Sequence, residues 1–151
     1  MNANSLVAIV AFMVSNAVYA ADTSGPTSRP DPMLDRYHAA AERQDWKSAA
    51  AAMNDALAAD SRNADYHSLY AYALRRSGSP DMDVVFKHYN EALRIDPKHL
   101  GAHEYLGEAY LMQKNLAKAN EHLAQLGRLC GRCDEYFMLR KAIADFEQAN
   151  K

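Results

Sequence analysis

The chain has 151 residues, 24% of them charged, and carries a formal net charge of -2. That length suffices for one domain and no more. With 17 basic against 19 acidic side chains, nothing offers the basic excess that a nucleic-acid surface needs.

The first charged side chain is Asp22, and the n-region before it carries only the terminal amine. An apolar run from Leu6 to Val14 is followed by Val18, Tyr19 and Ala20. A core of that length with small residues at the last and third-last positions predicts a secretory signal over residues 1–20, cleaved after Ala20. The run is too short to cross a bilayer as a stable helix, and no cysteine stands near the cleavage point. The mature chain is therefore expected to lack a stable membrane anchor and to be periplasmic or secreted. Residues 21–32, ADTSGPTSRPDP, hold three prolines and a glycine. Such a segment buries little apolar surface and reads as a flexible linker.

Helical periodicity begins after it. Arg36 and Tyr37 belong to a first helix, and the next, Trp46 to Asp60, carries the stripe Trp46, Ala49, Met53, Ala56, Leu57. Its alanine run, Ala49 to Ala52, is a strong helix former with little side-chain bulk, so neighbours can approach closely. A third helix, Tyr66 to Arg76, brings Tyr70, Ala71, Ala73 and Leu74. After the turn GSPDMD comes a fourth with Tyr89, Ala92 and Leu93 on its buried stripe, stopped by Pro97. Leu100 to Leu126 then repeats the arrangement with Tyr105, Leu106, Gly107, Ala109 and Tyr110, a polar break from Gln113 to Asn115, and Leu116, Ala119, Leu123 and Leu126. Matching places recur after 34 and then 36 residues, the longer step lying in a loop. A last amphipathic helix follows Cys133, with Tyr136, Leu139, Ile143 and Phe146 on one stripe.

Leu106, Gly107, Ala109 and Tyr110, then Ala119 and Leu123, meet most of a known signature, with His103 in the place of its opening aromatic and Leu126 in that of its last Ala. The order resembles a tetratricopeptide repeat (TPR), and HYNEALRIDP is its most specific segment. The resemblance implies an all-α fold over residues 33–151, a TPR-like right-handed superhelix of three antiparallel helix pairs plus a C-terminal capping helix. The repeats fall at about 30–63, 64–99 and 100–133, and the cap at 134–149. Roughly residues 60–147 also resemble small exported TPR proteins of Gram-negative bacteria that end in a Cys pair followed by Glu-Tyr. That likeness implies a periplasmic interaction module without naming its partner.

The clearest chemical candidates are Cys130 and Cys133, the only two cysteines. In an oxidising compartment the expected fate is a disulfide, contributing at most roughly 2 kcal/mol for so small a ring. The rival reading is a thiol-redox centre, with Arg132 lowering a thiol pKa. Such a centre belongs at a helix start in an alternating strand and helix pattern, and no strands are predicted. Haem attachment needs His after the second Cys, where Asp134 stands, and zinc needs two further ligands. His99 and His103, four apart, share a helix face without a third ligand. His67 and His103 occupy one repeat position, and His88 and His122 another, which marks them as packing or surface residues. No phosphate loop, nucleophile elbow or shared acid pocket appears, so no catalytic residues, metal or cofactor are expected.

The working surface that the TPR resemblance implies is a concave groove lined by the first helix of each pair. Its places at i, i+4 and i+7 are Leu34, His38 and Ala41; Ser68, Tyr72 and Arg75; and Glu104, Glu108 and Leu111. This make-up suits a protein or peptide partner with an apolar anchor and a basic group near Glu104 and Glu108. Family members that clamp a C-terminal carboxylate use Lys, Asn and Arg in the groove, and only Arg75 fits that role here. The expected function is non-catalytic protein binding, with a thiol-redox protein or a self-assembling scaffold as alternatives.

Overall fold

The computed structural model describes residues 30–150, so the signal expected over 1–20 and most of the linker lie outside the described residues. Among the described residues there are seven helices and no strand. They are α1 (Pro32–Glu42), α2 (Trp46–Ala59), α3 (Ala64–Arg76), α4 (Met82–Ile95), α5 (Leu100–Met112), α6 (Leu116–Cys130) and α7 (Asp134–Ala149). The helix begins at Pro32, inside the expected linker, because proline suits the first helical position and Asp31 caps it. The Asp31 carboxylate accepts the Met33 and Leu34 amides and also the Tyr66 hydroxyl at 2.6 Å, tying the start of α1 to α3.

Side-chain caps open the next five helices as well: Asp45, Asn63, Asp81, His99 and Asn115 each accept a backbone N–H of the first turn. The turns inside the first and third pairs are built alike. Gln44 and Lys114 both take a φ of 57°, reversing the chain just ahead of the capping residue. In the second pair Gly78, at φ +102°, serves the same reversal.

Each helix packs on its sequence neighbour, while α3 and α5, and α5 and α7, also touch side by side. Small residues make this closeness possible. Ala49, Ala56, Ala71, Ala109 and Ala119 are fully buried between helices. The first core gathers Tyr37 and Met53 with the alanines of α2, the second Val85, Tyr89 and Leu106, and the third Leu111, Leu126, Leu139 and Ile143. Tyr37, where the repeat pattern calls for glycine, is buried in the first core, and Arg36 pairs at the surface with Asp55 at 3.2 Å.

The closing helix covers α5 and α6 with its predicted stripe: Leu139 and Ile143 are buried, and Tyr136 and Phe146 pack beside them. Leu139 sits directly over Gly107. A Cβ at Gly107 would lie 2.6 Å from a Leu139 methyl, so the missing side chain sets how close α7 comes.

Candidate functional site

The first helices α3 and α5 lie side by side, and the face they share is aromatic. Tyr72 of α3 stands edge-on to Trp46 of α2, with ring centroids 5.6 Å apart, and tilts against Tyr105 of α5 at 4.5 Å. Arg76 lies over Trp46 at 4.7 Å and donates to the Tyr72 hydroxyl at 3.2 Å. A cleft of about 290 Å³ opens at this end, between Trp46, Lys47 and Arg76.

Next to the aromatic stack lie the charges. Arg75 donates to Glu108 at 2.6 Å, joining α3 to α5, and its side chain is only 8% exposed. Its guanidinium carbon is 5.3 Å from the Tyr72 ring centre. Glu104, one turn before Glu108 on α5, is 8% exposed, and none of the hydrogen bonds or ion pairs among the described residues reaches its carboxylate. Burial, then the nearby charges of Glu108 and Glu135, raise its pKa to about 7, with Arg75 opposing. Burial foremost also pushes the neighbouring Tyr105 hydroxyl to about 12, so that ring stays neutral.

The structure thus brings Tyr72, Arg75, Glu104 and Glu108 together on one face. The other expected groove residues differ in exposure, and of them only His38 is open to solvent. Leu34 and Ala41 are half-buried against the first core. His38 is exposed, with its ring edge-on to Tyr37 at 5.3 Å. Ser68 is 1% exposed, and its hydroxyl is buried without a partner. Leu111 is 7% exposed and belongs to the core that α7 completes, because Leu139 and Ile143 close over it. Glu108, expected to await a basic group, already has one in Arg75. Trp46, Arg76 and Tyr105 contact this face, and the spacing rule passed over them. Tyr105 lies one step off the i, i+4, i+7 series, and Trp46 belongs to a second helix.

The histidines lie elsewhere, and their repetition has a structural reason. His67 Nδ1 is 2.8 Å from His88 Nδ1, and His103 Nδ1 is 3.0 Å from His122 Nδ1. In both pairs the first ring directs Nε2 at a backbone carbonyl, Ser61 or Pro97, at 3.1 Å. A carbonyl only accepts, so that Nε2 carries the proton, and the contact between the rings is a hydrogen bond donated by His88 or His122. Burial first, then the charge of the facing ring, lowers the pKa of His88 and takes that of His122 down to about 4. His99 caps α5 through Nδ1. Among the described residues no group of three or more His, Cys, Asp or Glu is placed to hold a metal ion.

Cys130 and Cys133 are joined by a disulfide, with Cα atoms 5.7 Å apart. Cys130 ends α6 and Cys133 is the residue before α7, so the bond clips the last two helices across Gly131, which takes φ +72°. No helix of the described residues is long and apolar enough to cross a membrane.

Stacked helix pairs with a side-by-side row of first helices identify the architecture. The chain has a tetratricopeptide-repeat fold. The Sgt2 TPR domain from Aspergillus fumigatus superposes with a TM-score of 0.66 at 25% identity, covering 83% of this chain and 87% of that one. The TPR2B domain of yeast Sti1, in its complex with pHsp70, gives 0.68 at 17% identity, covering 78% and 95%. The Yersinia enterocolitica type III secretion chaperone SycD, in complex with a peptide of the translocator YopD, gives 0.64 at 14%, covering 78% and 88%. No protein-family model matches the sequence, and no curated protein matches it either.

Proposed function

We propose that this chain is a non-catalytic interaction module that binds a peptide or protein segment along the TPR wall of α1, α3 and α5. The observation that carries the reading is the assembly of Tyr72, Tyr105, Arg75, Glu108 and Glu104 on one face, an aromatic platform beside charges of both signs. Aromatic rings supply contact area at small entropic cost, and the charges set direction and selectivity. Two of the structural neighbours, Sti1 and SycD, are seen with partners, and the same mode of use is the simplest for this wall. The protein works after export, in the periplasm or outside the cell. The apolar segment ahead of Ala20 and the Cys130–Cys133 disulfide both support that location.

The test places a photo-reactive side chain at His38 or, separately, at Lys87 on α4, in the full chain expressed in a Gram-negative host. Fractionation followed by irradiation should recover the protein from the periplasm with adducts at position 38 only. Adducts at position 87 alone, or equal adducts at both, would move the binding surface off the groove, and retention in the cytoplasm would refute export.

A further inference from the structure

The Glu104 side chain is 8% exposed, and among the described residues its carboxylate makes no hydrogen bond or ion pair, so only solvent at the groove mouth satisfies it. The charged groups that act on it come from α3, α5 and α7. Arg75 approaches from α3, Glu108 from its own helix and Glu135 from the first turn of α7. The cation in this set is already committed, since Arg75 holds Glu108 at 2.6 Å. At the matching place one repeat back, on the adjoining α3, the Ser68 hydroxyl is buried with no partner. What the Glu104 carboxylate lacks is a donor. A carboxylate accepts only, and a hydroxyl accepts as well as donates. A ligand that satisfies them brings several N–H groups on a positive charge, and the Tyr72 and Tyr105 rings beside the site offer an apolar wall for its stem.

We propose that Glu104, supported by Glu135, receives a lysine or arginine side chain of the partner segment; this rests on the groove function proposed above. The charge preference is the reverse of a carboxylate clamp. The site takes the basic side chain with Glu104 ionised, so binding releases a proton wherever the free carboxyl still holds one. With the free carboxyl titrating at about 7, affinity rises about tenfold from pH 6 to pH 8.

The test pans the full chain, disulfide intact, against phage-displayed random dodecapeptides at pH 8. Enriched peptides should share a Lys or Arg at one position. Replacing that residue by norleucine or citrulline in the synthetic peptide should weaken binding roughly 10- to 100-fold. Glu104→Gln should weaken the basic peptide by a similar factor, remove the pH dependence and leave the neutral peptide unaffected. Glu135→Gln, at a half-buried position, should give a smaller loss in the same direction. Enriched peptides without a basic residue, or a basic peptide held equally by Glu104→Gln, would overturn this inference. If those peptides still lose affinity on Tyr72→Ala, the groove reading survives. Peptides indifferent to Tyr72→Ala, or no enrichment at all, would overturn both.

Discussion

Replacing Glu104 by Gln should make the protein more stable, and only at neutral and alkaline pH. The folded carboxyl titrates at about 7 against an ordinary 4.5, chiefly because burial disfavours its charged form. Between those two values the folded state holds more protons than the unfolded state, so this group lowers stability as pH rises through the window. Below 4.5 the carboxyl is protonated in both states and has no such effect; above 7 the full penalty applies. A tenfold change in proton affinity is worth about 1.4 kcal/mol, so the rise from 4.5 to about 7 costs roughly 3 kcal/mol, which solvent at the groove mouth screens to about 2 kcal/mol. Glutamine keeps the shape and removes the charge. In urea titrations at pH 4 and pH 8, variant and parent should coincide at the lower pH. At the higher pH the variant midpoint should lie about 1–2 M above the parent's. Equal midpoints at pH 8, or a gain of the same size at pH 4, would show that Glu104 is not an uncompensated buried charge.

Two further outcomes follow from the packing. Gly107→Ala gains intrinsic helix propensity of about 1 kcal/mol but drives a methyl group into Leu139, which is fully buried and has nowhere to move. The net effect should be a loss of about 1–2 kcal/mol, with proteolysis releasing α7 first; unchanged urea stability with an equally protected α7 would refute the close contact. His122, in the second histidine pair, should resist acid. The folded protein protonates His122 only near pH 4 against an ordinary 6.5, because burial and His103 disfavour its charge. The unfolded state therefore binds the extra proton in this window, and the contribution is complete above 6.5 and lost as pH falls through 4. This slope opposes that of Glu104, so it should stand out in the Glu104→Gln background. NMR titration of the ring resonances checks it directly, and a His122 midpoint near 6.5 would exclude the buried pair.

The helices and their order were legible because burial follows periodicity. Tyr89, Ala92 and Leu93 in one helix, and Leu139 and Ile143 in another, lie on stripes that local spacing alone determines, and Pro97 and the polar turns mark the ends. The charge pattern of the wall was half legible. Tyr72, Arg75, Glu104 and Glu108 could be assigned to one face from their positions in the repeat. Which of them remain open for a partner could not, since that depends on contacts between residues far apart in the chain: Arg75 takes Glu108, and Leu139 and Ile143 close over Leu111. The histidines make the same point. Their recurrence at equal repeat positions was visible in the sequence, but the hydrogen bond between the facing rings exists only because paired helices bring them within 3.0 Å. Local periodicity thus specified what is buried, and the stacking of helix pairs decided which polar groups find partners and which, like Glu104, are left without one.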